Sequence, residues 1–126
     1  MSESFGKEYK LCSKTQIDAI FVNKCAVKAY PFLLYYQETT LNSQVPFQIV
    51  LSAPKRSFKR APDRNRIKRV MKEVLRKNKS DLETHLSKTD KQLALFLIYT
   101  SKDLPDYKQL DTKIVVLLNR LIEQTQ

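Results

Sequence analysis

Glycine occurs once in 126 residues, histidine once, cysteine twice and tryptophan not at all. One glycine, Gly6, leaves no glycine-rich loop to cradle a nucleotide phosphate, and it lies ahead of the first periodic segment. His85 stands in the polar stretch from Leu82 to Gln92 with no Cys or His companion, so it offers no converging catalytic or metal set. Cys12 and Cys25 have neither redox-pair spacing nor further zinc ligands, and they read as reduced small hydrophobes of a kind usually buried. The carboxylates, among them Asp18, Glu38, Asp63 and Glu73, are scattered without a two-metal cluster, and no Ser/His/Asp or Cys/His arrangement is evident. The polypeptide is therefore not expected to perform chemistry alone. No apolar run approaches the roughly 20 residues needed to span a bilayer. Met1 to Lys10 lacks the apolar centre of a signal peptide, so a cytoplasmic location is expected.

What is present is basic charge, concentrated in one place. The formal net charge is +10, and between Lys55 and Lys79 twelve basic residues face only two acids, Asp63 and Glu73. The remainder of the chain holds eleven residues of each sign, so the whole excess is local. A local excess of this kind is a docking surface for a polyanion. With 42% hydrophobic and 29% charged residues, and neither repeats nor low-complexity stretches, one compact domain over 1–126 is expected.

Periodicity places that charge on a helix. Ser13 and Gln16 form a capping-box pattern for a first helix carrying Ile17, Ile20 and Phe21 and ending at about Lys24. Ala26 to Ala29 and Phe32 to Gln37 read as strands broken at Tyr30 and Pro31, and Phe47 to Ala53 as a third strand opened by Pro46. After the basic loop Lys55 to Arg60, a long helix begins near Pro62, with Asp63 at its positive end. Ile67, Val70, Met71, Val74 and Leu75 make its apolar stripe, flanked by a row of Arg64, Lys68 and Lys72 and another of Asn65, Arg69, Lys72 and Arg76. A polar connector from Asn78 to Lys91 precedes Leu93 to Tyr99, a strand apolar enough to be covered on both faces. Pro105 and Asp106 open a last helix carrying Tyr107, Leu110, Ile114, Leu117, Leu118 and Leu121. The class is α+β, a helix-covered sheet.

Such a helix grips a nucleic-acid backbone through counterion release without reading bases. Arginine suits bidentate phosphate contact and Asn65 can pair with a base or sugar edge. A merely solvated face is the competing reading, but solvated faces interleave acids with bases and this one barely does. A binding module such as a ribosomal protein or RNA chaperone shares the same helix. Recognition of duplex DNA would need a second helix at turn spacing ahead of it, and none is apparent.

Lys55-Arg56 after a strand, then Arg60-Ala61, then Arg64-Asn65-Arg66-Ile67-Lys68-Arg69 resembles the signature of the bacterial ribonuclease P protein family, and nearly the whole chain follows that family's order. The resemblance implies a single αβββαβα domain, a two-layer sandwich with helices packed on a small mixed sheet and a left-handed crossover. It implies a subunit that binds a catalytic RNA which, with Mg2+ held mainly by the RNA and none by protein side chains alone, removes the 5′ leader of precursor tRNA. No membrane and no obligate protein partner are implied. The residues matching the family's RNA dock are Arg64, Asn65, Arg66, Lys68 and Arg69, with Lys55, Arg56 and Arg60 nearby and Lys72 and Arg76 extending it. The family's leader cleft maps to Ile17, Phe21 and Tyr35. Many members carry Phe where this chain has Ile17, which removes one stacking surface, and Val50 stands in the neighbourhood where a glycine is often found.

Overall fold

The structure, a computed structural model, describes residues 9–23, 25–41 and 44–125. Helix α1, Lys14–Asn23, starts where Ser13 Oγ accepts the Gln16 amide at 3.4 Å. The other half of the expected capping box is redirected. Gln16 Nε2 donates to the Thr40 carbonyl at 2.9 Å, tying α1 to the segment after the second strand. The expected helix end at Lys24, like Gly6, lies outside the described residues.

Strands β1, Ala26–Ala29, and β2, Phe32–Glu38, pair antiparallel on either side of Tyr30 and a cis Pro31. β4, Leu93–Tyr99, pairs antiparallel with β2 and parallel with β3, Phe47–Ser52, giving the order β1-β2-β4-β3. A parallel pair requires a crossover, here made by α2, Ala61–Asn78, and α3, Ser80–Thr89. The central position of β4 explains its near-continuous apolar sequence.

Side-chain alternation sends the two faces of the sheet to different helices. Phe32, Leu34, Phe47, Ile49, Leu95 and Leu97 join Ile67, Met71, Val74 and Leu75 of α2. The same core takes Leu110, Ile114, Leu117, Leu118 and Leu121 of α4, Tyr107–Gln124, whose Asp106 cap accepts the Lys108 amide at 3.2 Å. On the opposite face Ala94 packs with Ile20 of α1, with Ile17, Tyr35, Val50 and Phe96 around them. The α+β class and the expected strand and helix order hold.

Two expectations are corrected. The connector from Asn78 to Lys91 contains α3, which buries Leu82, Glu83 and Leu86 and ends with Asp90 in the left-handed region at φ 54°. Cys12 and Cys25 are free thiols, but both are exposed because Cys12 lies on the segment before α1 and Cys25 on the link to β1. Among the described residues no helix is long and apolar enough to cross a membrane.

Candidate nucleic-acid interface

Because α2 buries Ile67, Met71, Val74 and Leu75, its remaining faces turn cations outward. Asn65, Lys68, Arg69 and Lys72, spaced i, i+3, i+4 and i+7, line one groove of about 730 Å³. Ile49, Val50 and Leu51 of β3 supply apolar lining, and Tyr9, Lys10 and Leu11 complete it. Four of these residues are cationic and none is a carboxylate. The segment before α1 reaches the groove by pairing with β3: Lys10 bridges Ile49 in parallel sense and the Leu11 amide donates to the Ile49 carbonyl at 3.2 Å. This covers the outer edge of β3, which the sheet order leaves next to no other strand.

The other expected RNA-contacting residues are not part of the groove lining. Lys55, Arg56 and Arg60 are exposed on the loop leading into α2. That loop is pinned by the buried Phe58, whose ring lies 6.0 Å from that of Tyr99. Arg64 fastens the loop to the helix, one guanidinium nitrogen donating to the carbonyls of Phe58 at 2.7 Å and Lys59 at 3.0 Å. Arg66 is exposed on α2 outside the groove lining. Arg76 forms a two-point pair with Glu73, at 3.1 and 2.7 Å, and this hydrogen-bonded guanidinium holds the Glu73 carboxyl below the usual carboxylate range.

Charge counting assigns Lys79 to the basic surface, and the structure removes it. Lys79 is 2% exposed, its ammonium 2.7 Å from the Glu83 carboxylate and 5.1 Å from the centre of the Tyr9 ring. A sequence count cannot distinguish a solvated lysine from one folded back at a helix junction.

A second place lies under α1. The Phe21 ring, 38% exposed, is 5.1 Å from that of Tyr35 and 4.9 Å, edge-on, from that of Phe96. Ile17 packs beside them. The three residues expected in the leader cleft are thus brought together, and Phe96 joins them. Phe96 was concealed in an apolar run, although alternation along β4 sets it on the face of Ala94 and its register opposite Tyr35. Lys10 had no comparable signal, since its place depends on pairing with β3. Val50 belongs to both places: it packs in the α1 cluster and lines the cationic groove. A polar cavity of about 760 Å³ elsewhere, with Glu38, Asp90 and Lys91 in its lining, contains none of the expected residues. Among the described residues no three His, Cys, Asp or Glu side chains converge as a metal set.

Known proteins resemble the chain throughout. The family described as Ribonuclease P matches residues 5–122. The ribonuclease P protein component of Porphyromonas gingivalis is 26% identical over 115 residues, covering 91% of this chain and 84% of that one. That of Chlorobium phaeobacteroides is 29% identical over 126 residues, covering 91% and 86%. The solved RNase P protein of Staphylococcus aureus shares the fold with a TM-score of 0.68 at 19% identity, covering 90% of this chain and 94% of that one. With the family match running through all the elements that build the groove and the aromatic cluster, the chain belongs to the ribonuclease P protein family.

Proposed function

We propose that this protein is the subunit that docks the catalytic RNA of ribonuclease P through the face of α2 and holds the 5′ leader of precursor tRNA against the aromatic cluster under α1. The observation that carries this reading is the cationic groove, without a carboxylate among the described residues that line it, joined through Val50 to Phe21, Tyr35 and Phe96. Lysine and arginine at helical spacing neutralise successive phosphates and release their counterions. Exposed ring faces stack unpaired bases of any sequence. The two chemistries fit two parts of one substrate complex: a structured RNA with a dense backbone and a single-stranded extension. Hydrolysis of the phosphodiester, with Mg2+, is assigned to the RNA. The protein residues orient and hold, and the location proposed is the cytoplasm.

The test compares precursor tRNA carrying a leader of several nucleotides with mature tRNA lacking it, each bound by the assembled RNA and protein. The wild-type complex is expected to bind the leader-bearing form more tightly. Tyr35→Ala is expected to lose about tenfold of that preference, the worth of one stacked base, while binding of the catalytic RNA by the protein stays unchanged. Equal affinity of the wild-type complex for both forms sinks the leader assignment.

A further inference from the structure

Among the described residues Lys10 is the one cation of the groove that does not come from α2, and it adjoins a buried cluster. Tyr9, the adjacent residue, donates its phenolic hydrogen to Glu83 Oε2 at 2.7 Å. Glu83 Oε1 in turn accepts the Lys79 ammonium at 2.7 Å. All three side chains are buried, and the Tyr9 ring also lies 5.3 Å from that of Phe47 on β3. Tyr9 thereby links the segment before α1 to the α2–α3 junction across 74 residues of sequence. Dissolving two charges in a protein interior is costly, and such a pair contributes little net stability compared with apolar packing. What it does supply is a single acceptor geometry for the Tyr9 hydroxyl. Next to the Tyr9 so held, Lys10 and Leu11 pair with Ile49, and Lys10 lines the groove from the segment beside β3.

We infer that Lys10 is a phosphate-binding residue for the catalytic RNA, and that Tyr9, Glu83 and Lys79 are its positioning residues. This rests on the assignment of the groove to that RNA. Backbone phosphates entering the groove meet Asn65, Lys68, Arg69 and Lys72 from the helix and Lys10 from the segment beside β3, with apolar lining for the sugars between.

The experiment measures binding of the full-length protein to the catalytic RNA encoded in the same genome over a range of salt concentrations. Lys10→Ala is expected to lower the salt slope by about 0.7 to 0.9 unit, so that the ratio of affinities at about 50 and about 200 mM salt falls roughly threefold. Lys10→Arg is expected to restore both slope and affinity. Tyr9→Phe keeps the ring against Phe47 but removes the hydrogen bond, and is expected to reproduce the slope change of Lys10→Ala. The two changes combined are expected to add nothing further, which a loss of general stability would not produce. The inference is overturned if Lys10→Ala leaves affinity and slope unchanged while Arg69→Ala, in the same groove, weakens binding, an outcome that keeps the groove assignment for α2. It is also overturned if Lys10→Ala alters only affinity for the leader. If neither Lys10→Ala nor Arg69→Ala changes RNA binding, the functional assignment falls with it.

Discussion

Lys68→Glu combined with Arg69→Glu is expected to weaken binding of the catalytic RNA by on the order of 100-fold or more at about 0.15 M salt, with the protein still folded. Both side chains are exposed, both line the groove, and among the described residues no carboxylate shares that lining. The double change does more than remove two counterion-releasing contacts. It places two like charges against the RNA backbone, and like-charge juxtaposition at an interface costs several kcal/mol. Glutamate has nearly the helix propensity of lysine and arginine, so α2 persists. Unfolding in urea is expected to shift by no more than about 0.5 kcal/mol, the usual range for surface positions. Lys88→Glu, on the exposed side of α3, provides the comparison of equal charge type. It is expected to change RNA binding only a few-fold through long-range screening. Comparable losses in both proteins would mean that net charge, rather than the groove, governs binding.

The largest expected effect on stability belongs to Glu83→Ala. Glu83 is 4% exposed and serves both the Lys79 ammonium and the Tyr9 hydroxyl. Its removal takes the carboxylate from a buried lysine, a loss of about 3 to 5 kcal/mol. Against a total stability of roughly 5 to 15 kcal/mol, that is enough to unfold a substantial fraction at physiological temperature. Urea denaturation followed by circular dichroism measures it. Replacing the whole cluster by apolar groups, in Tyr9→Phe, Lys79→Met, Glu83→Leu, is expected to recover most of the loss, because the buried ammonium and carboxylate are then removed together. A triple variant as unstable as Glu83→Ala would show that packing volume, rather than the broken ion pair, sets the cost.

Helix α2 was legible because its two periodic signals agree. Ile67, Met71, Val74 and Leu75 fall on one stripe, and the cations occupy the rest, so either pattern alone gives the same helix. β4 was equally clear, since seven successive residues without a charge between polar segments fit only a covered strand. Helix α3 was concealed for physical reasons. Its buried face shows only two apolar residues, Leu82 and Leu86, because the third buried position is Glu83, whose partners lie on other elements. Its end is marked by Asp90 in the left-handed region rather than by the usual glycine. The α2 face of the candidate site could be read from helical spacing. Lys10 and Phe96 could not, the first because a strand bridge to Ile49 brings it in, the second because a residue on the face beneath α1 looks in sequence like any other member of an apolar run. The same limit applies to Lys79 and Arg76, whose ion pairs with Glu83 and Glu73 diminish the basic surface that their positions in sequence appeared to extend.

Cleavage in a reconstituted mixture tests the central claim most directly. The protein is combined with the catalytic RNA of the same genome and a precursor tRNA at magnesium concentrations too low for the RNA to act efficiently alone. The account predicts that the protein stimulates accurate removal of the leader, yielding the mature 5′ end, and that Lys68→Glu/Arg69→Glu abolishes the stimulation at protein concentrations where the wild type saturates. Tight binding of the RNA with no stimulation of cleavage at any magnesium concentration would contradict it, and would leave the protein an RNA-binding module instead of a subunit of this enzyme.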